Sequence, residues 1–96
     1  MALADIKNYA TQVAELFDLQ KVTLFGSYAQ GRNTKTSDID LLIDFGAKPI
    51  TIYDIANVKL KMEELTAKEV DVVAFPVPRT SLLKIDKEIL LYVRKR

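Results

Sequence analysis

Asp38 and Asp40 stand two apart at the head of an apolar run, Leu41-Leu42-Ile43. In an extended chain side chains alternate with a period of two, so both carboxylates leave one face, their backbones roughly 7 Å apart. Two like charges that close, beside apolar residues, cost stability unless something positive lies between them. The same spacing lets them grip one divalent cation or a pair. A third carboxylate, Asp71, interrupts the run Val70-Asp71-Val72-Val73, where Val or Ile would be expected. If its strand neighbours that of Asp40, Asp71 can complete a three-carboxylate cluster. The plainer reading makes Asp38 a cap or strand-end residue and Asp40 a solvent-facing one. For an isolated Asp-x-Asp that plainer reading is the better of the two.

The balance moves because of what precedes the acids. Gly26-Ser27 directly follows the apolar run Val22-Thr23-Leu24-Phe25, with ten residues between Ser27 and Asp38. Glycine lets a backbone approach a phosphate, and amides at a helix start carry partial positive charge. The Ser27 hydroxyl adds a donor. Gly-Ser pairs are common in plain turns, so the weight lies in their distance from the acids. Arg32 and Lys35 in the intervening loop could neutralise phosphate, although Lys35 reads more simply as a solvated charge. Ser37 could bind phosphate or hold the loop. Asp44 shares the period of Asp38 and Asp40 but falls further on, as an exposed strand-end charge.

Composition narrows the chemistry. The chain has 96 residues, 49% hydrophobic and 28% charged, which fits one soluble globular domain spanning residues 1–96. There are no cysteines and no histidines, which removes disulfides, thiolates, Cys/His zinc sites and a histidine base. Any metal must be held by oxygen, which points to magnesium, calcium or manganese. A net charge of +1 argues against a broad nucleic-acid footprint. The tail Arg94-Lys95-Arg96 reads as solvated. No apolar run reaches the roughly 18 residues needed to span a bilayer, and Asp5 and Lys7 do not fit a signal peptide. The expectation is a cytoplasmic protein.

The elements that must position the site follow from periodicity. Leu3, Ile6, Ala10, Val13 and Phe17 mark an amphipathic helix. Val22 to Phe25 predicts a strand stopped by Gly26, then a short helix capped by Ser27 and a polar loop to Ser37. Asp38 to Phe45 predicts a second strand, its consecutive apolar residues covered on both faces. Thr51 with Asp54 resembles a capping box, opening a helix through Ile52, Ile55, Val58, Met62 and Leu65. Glu69 to Phe75 alternates as a third strand, with Val70, Val72 and Ala74 on one side and Asp71, Val73 and Phe75 on the other. After Pro76 and Pro78, Ser81 caps an expected final helix with Leu82, Ile85, Ile89 and Tyr92 or Val93 inward. The order α-β-(α)-β-α-β-α implies an α+β sandwich, a small sheet of three or more strands flanked by helices. Whether the second and third strands run parallel stays open.

Other Asp-x-Asp families fit poorly. An EF-hand loop needs further oxygen ligands where Leu41-Leu42-Ile43 stands. A haloacid-dehalogenase-type aspartate ends an apolar strand, whereas this pair begins one. No Gly-Lys-Ser/Thr occurs, so there is no Walker loop. Gly26-Ser27, ten residues, then Asp38-Ile39-Asp40 resembles the signature of the polymerase-β-type nucleotidyltransferase superfamily. The stretch from Gly26 to Phe45 is especially similar to the minimal nucleotidyltransferases of prokaryotes, a family of about this length.

The resemblance implies a polymerase-β-like nucleotidyltransferase fold. It implies Asp38, Asp40 and Asp71 as catalytic residues and ligands of two Mg2+ ions, with Asp71 activating the attacking hydroxyl. Gly26 and Ser27 would hold the phosphates of ATP, with Arg32 and Ser37 beside them. It further implies a protein adenylyltransferase, the antitoxin of a pair, that puts AMP on a tyrosine of a HEPN-domain toxin. The family often shows Gly-Ser-Arg-Ala-Arg-Gly, where this chain has Tyr28 and Gln30, so two phosphate contacts would be missing. With one helix expected after the third strand, no substrate domain fits and the acceptor must come from another chain. The rival reading is a non-catalytic antitoxin that acts by binding alone. A regulatory nucleotide-binding domain of a larger assembly is a third.

Overall fold

The computed structural model describes residues 1–75 and 87–95. Its elements run α1 (Leu3–Phe17), β1 (Lys21–Phe25), α2 (Gly26–Ala29), β2 (Ile39–Asp44), α3 (Ile52–Thr66), β3 (Val70–Ala74) and β4 (Ile89–Val93). The four strands form one sheet in the order β3-β2-β1-β4. β1 lies antiparallel to both β2 and β4, whereas β2 and β3 are parallel. A parallel pair cannot be joined by a tight turn, and α3 supplies the crossover.

Local chemistry sets the bounds of the helices. Asp54 donates its backbone N–H to Thr51 Oγ1 at 3.4 Å, and its carboxylate accepts the Thr51 N–H at 2.8 Å. This reciprocal pairing starts α3 at the expected residue. Asp18 and Ala67, both at φ 57°, end α1 and α3 in the left-handed region. Arg94 in the basic tail pairs with Asp18 at 2.7 Å, so that residue is not simply solvated. Among the described residues no helix is long and apolar enough to cross a membrane.

The core lies between the sheet and the two long helices. Ile39, Leu41 and Ile43 of β2, Val22 and Leu24 of β1 and Val70 of β3 pack with Ile6, Val13, Val58 and Met62. Strand alternation then sends Asp38, Asp40, Leu42 and Asp44 to the other face. Leu42 and Thr23, partners across β1 and β2, are buried there too. The expected cover on both faces of β2 is therefore present at its centre.

Two expectations need correction. The residues Ile89 to Val93 form a strand paired with β1, not the end of a helix. A short apolar run satisfies a helical and an extended period alike, and β1 offers it an open row of backbone partners. Ser81, Leu82 and Ile85 of that expected helix lie outside the described residues. Ser27 does not cap α2, whose N-cap is Phe25; the turn at Gly26 places the cap two residues earlier.

Leu41 is fully buried at the middle of β2, whereas Leu90 on β4 is half exposed. Leu41→Ala should cost about 2–5 kcal/mol through transfer and cavity terms. Leu90→Ala should cost about 0.5 kcal/mol or less. Urea unfolding of the two variants against the parent checks the difference.

Candidate active site

The pairing register brings the singled-out residues to one rim of the sheet. Phe25, the last residue of β1, sits opposite Asp40, so the Gly26 turn leaves the sheet beside that carboxylate. Asp40 in turn sits opposite Asp71 across the parallel pair. The end of β1 and the starts of β2 and β3 therefore meet. The condition attached to Asp71, that its strand neighbour that of Asp40, is met.

Gly26 is required twice over. Its φ is +75°, a conformation that costs residues with a Cβ. A Cβ there would also overlap the Asp40 carboxylate and stand 2.9 Å from its Cγ. The backbone at Gly26 thus forms one wall of the acidic site. Ser27 follows within α2 and is half-buried.

The acids are placed unequally. Asp40 is half-buried and Asp71 exposed. The Asp40 carboxyl is raised from 3.8 to about 6, first by burial, then by the charge of Asp71 and a hydrogen bond with it, and last by the charge of Asp38. Asp71, opposite Asp40 across the strand pair, thus bears on that carboxyl more strongly than Asp38 does. Among the described residues no three acidic, histidine or cysteine side chains already converge as a metal cage. What the rim does present is an all-oxygen donor set under mutual repulsion against a glycine wall. That donor set fits a hard divalent cation, which would relieve the repulsion.

The loop between α2 and β2 has its own hydrogen bonds. The Ser37 hydroxyl accepts the Thr34 N–H at 2.8 Å, and the Ser37 N–H donates to the Thr34 carbonyl at 3.2 Å. Of its two readings, the loop-holding one has a structural basis. Arg32 donates its guanidinium to Gln30 Oε1. The Lys35 carbonyl accepts from Lys68 Nζ at 2.9 Å, a contact that periodicity did not reveal because its partners lie on separate elements. Tyr28 belongs to the hydrophobic core, with Lys68 Nζ 6.0 Å from its ring centre. Position 28 is therefore a packing position here, and its tyrosine needs no phosphate to explain it. Asp44 accepts the Gly46 N–H at 2.8 Å and serves the strand end, as expected.

The chain matches the nucleotidyltransferase domain over residues 6–95. It is 33% identical over 75 residues to a candidate protein adenylyltransferase of Methanocaldococcus jannaschii, covering 78% of this chain and 80% of that one. It is 26% identical over 97 residues to the protein adenylyltransferase MntA of Thermococcus cleftensis, covering 97% of each. Among solved structures, a toxin–antitoxin complex with AMP-PNP superposes with a TM-score of 0.77 at 24% identity, over 93% of this chain and 74% of that one. A tri-AMPylated HEPN toxin of Shewanella oneidensis in complex with its MNT antitoxin gives 0.69 at 20% identity, over 93% and 71%. Identities this low carry the fold alone. The fold is the polymerase-β-like one, and the expected α+β class stands.

Two outcomes follow from the rim. Gly26→Ala should destabilise the protein and disrupt the wall at Asp40, seen as a lowered Tm. The second concerns pH. With its pKa raised from 3.8 to about 6, Asp40 binds more proton in the folded than in the unfolded state across that window. Stability of the metal-free protein should therefore fall as pH rises from about 4 to 6. Asp71→Asn, which removes the neighbouring charge, should flatten that fall in thermal unfolding at pH 4 and pH 7.

Proposed function

Because this chain belongs to the nucleotidyltransferase domain family, as a minimal nucleotidyltransferase of the polymerase-β type, we propose that it is a metal-dependent protein adenylyltransferase. It moves AMP from ATP to a tyrosine hydroxyl of a HEPN-domain toxin in the cytoplasm, and so acts as the antitoxin. The carrying observation is the meeting of Gly26, Asp40 and Asp71 at one rim. A phosphate-approaching backbone and facing carboxylates are what phosphoryl-group chemistry needs in one place. The similarity to protein adenylyltransferases and to an MNT antitoxin in complex with an AMPylated HEPN toxin supports a protein acceptor and a HEPN partner.

The reaction is an in-line displacement. The acceptor oxygen forms a bond to the α-phosphorus, the bond to the bridging oxygen breaks, and pyrophosphate leaves with that electron pair. Asp71, exposed at the rim, takes the hydroxyl proton. Asp38 and Asp40, with Asp71, would hold two Mg2+ ions, which supply charge neutralisation at the attacking and leaving oxygens. The Gly26 turn lets the triphosphate lie against the backbone, and Ser27 adds a hydroxyl donor. Arg32 and Ser37, on the loop that leads into Asp38, are the further candidates for phosphate contact. The sequence has no histidine, and this scheme uses none.

The rival, neutralisation by binding alone, drew its weight from Tyr28 and Gln30. Tyr28 packs into the core and supplies no phosphate contact, so the two readings are separated by experiment. Protein, ATP, magnesium and the HEPN partner are mixed and the partner is weighed. A gain of one or more AMP masses is expected. A stable complex with no mass change would instead establish the binder. Asp38→Ala and Asp40→Ala should each lower transfer from α-labelled ATP by at least about a hundredfold with the fold retained. Unchanged transfer in both would remove the metal-site reading.

A further inference from the structure

Val70 precedes Asp71, and both of its peptide groups are taken up by side chains of α3. Its N–H donates to Glu63 Oε2 at 3.0 Å, and its carbonyl accepts from Lys59 Nζ at 2.6 Å. Lys59 Nζ also donates to the same Glu63 oxygen at 3.0 Å. The three groups close a small ring of hydrogen bonds around one residue. β3 is an edge of the described sheet, so an outward-facing peptide there would otherwise be left to solvent.

As a source of stability the ion pair is unremarkable. The two side chains are 41% and 26% exposed, and pairs so placed contribute little. Lysine preceding glutamate at i,i+4 is also the weaker orientation on a helix. What distinguishes it is the shared target. The Glu63 carboxyl is held below its usual range first by the Val70 N–H and only then by Lys59.

We infer that Glu63 and Lys59 are positioning residues that fix Asp71 opposite Asp40. The Val70 side chain is buried in the core on one face, its peptide is bracketed from α3, and Ile39 donates to the Glu69 carbonyl at 3.0 Å on the β2 side. With residues 69 and 70 held on both sides, the Cα–Cβ direction of Asp71 is set toward the acidic face. Releasing the bracket leaves Asp71 on an edge strand pinned from one side only. The inference rests on the transfer reaction above for its catalytic consequence, and on the hydrogen bonds alone for its structural one.

The test compares Glu63→Ala and Glu63→Gln with the parent. Glu63→Ala should lower kcat for AMP transfer roughly ten- to hundredfold, as loss of a supporting group does, with KM for ATP within about twofold. Glu63→Gln keeps an oxygen for the Val70 N–H and should restore most of the rate. Hydrogen exchange at the Val70 and Asp71 amides should quicken in Glu63→Ala while the amides of β1 stay protected. If Glu63→Ala fails to fold, Lys59→Met, which opens only the carbonyl side, carries the same comparison. A kcat within twofold of the parent, or a loss that Glu63→Gln does not rescue, would overturn the inference. Absence of transfer by the parent would count against the proposed function instead; exchange at Val70 then decides the bracket, and unchanged exchange would refute it.

Discussion

Two carboxylates are held face to face although they repel. Asp40 and Asp71 occupy partner positions in a parallel strand pair, which fixes their backbones side by side. The repulsion shows in the Asp40 carboxyl, which burial and its neighbour push up to about 6. A fold that keeps such a pair together does so against local electrostatics. The rest of the chain can be understood as what makes that arrangement affordable.

The cost is met on the opposite side of the sheet. Ile39 and Leu41 flank Asp40 in sequence, and both are fully buried against the helices. Each acid on the outer face is thus anchored by apolar neighbours on the inner one, and burial of those side chains outweighs the repulsion. The α3 crossover contributes in two ways. It brings β3 back parallel to β2, which puts Asp71 level with Asp40, and its Lys59 and Glu63 reach the Val70 peptide.

The glycine turn completes the rim by subtraction. With no side chain at position 26, the Asp40 carboxylate lies against the backbone itself, in the space that a Cβ would take. The loop that follows is tied down by Ser37 to Thr34 and by Lys68 to the Lys35 carbonyl. These ties span the segment leading into Asp38, so the first acid enters β2 from a loop with fixed points.

Features written in short-range spacing were legible in the chain alone. The shared face of Asp38 and Asp40, the helices α1 and α3, the Thr51–Asp54 cap and the isolation of Asp71 all follow from neighbours a few residues apart. Such periods survive whatever the chain packs against. Pairing does not, because it depends on residues distant in sequence. That Asp71 faces Asp40 required a parallel β2–β3 pair, which alternation could state only as a condition. That Ile89 to Val93 is a strand required an open edge on β1, since five apolar residues satisfy either period. That Tyr28 belongs to the core, and that Glu63 and Lys59 grip the strand carrying Asp71, follow from contacts between elements. Those contacts exist only once the sheet and helices have closed on one another.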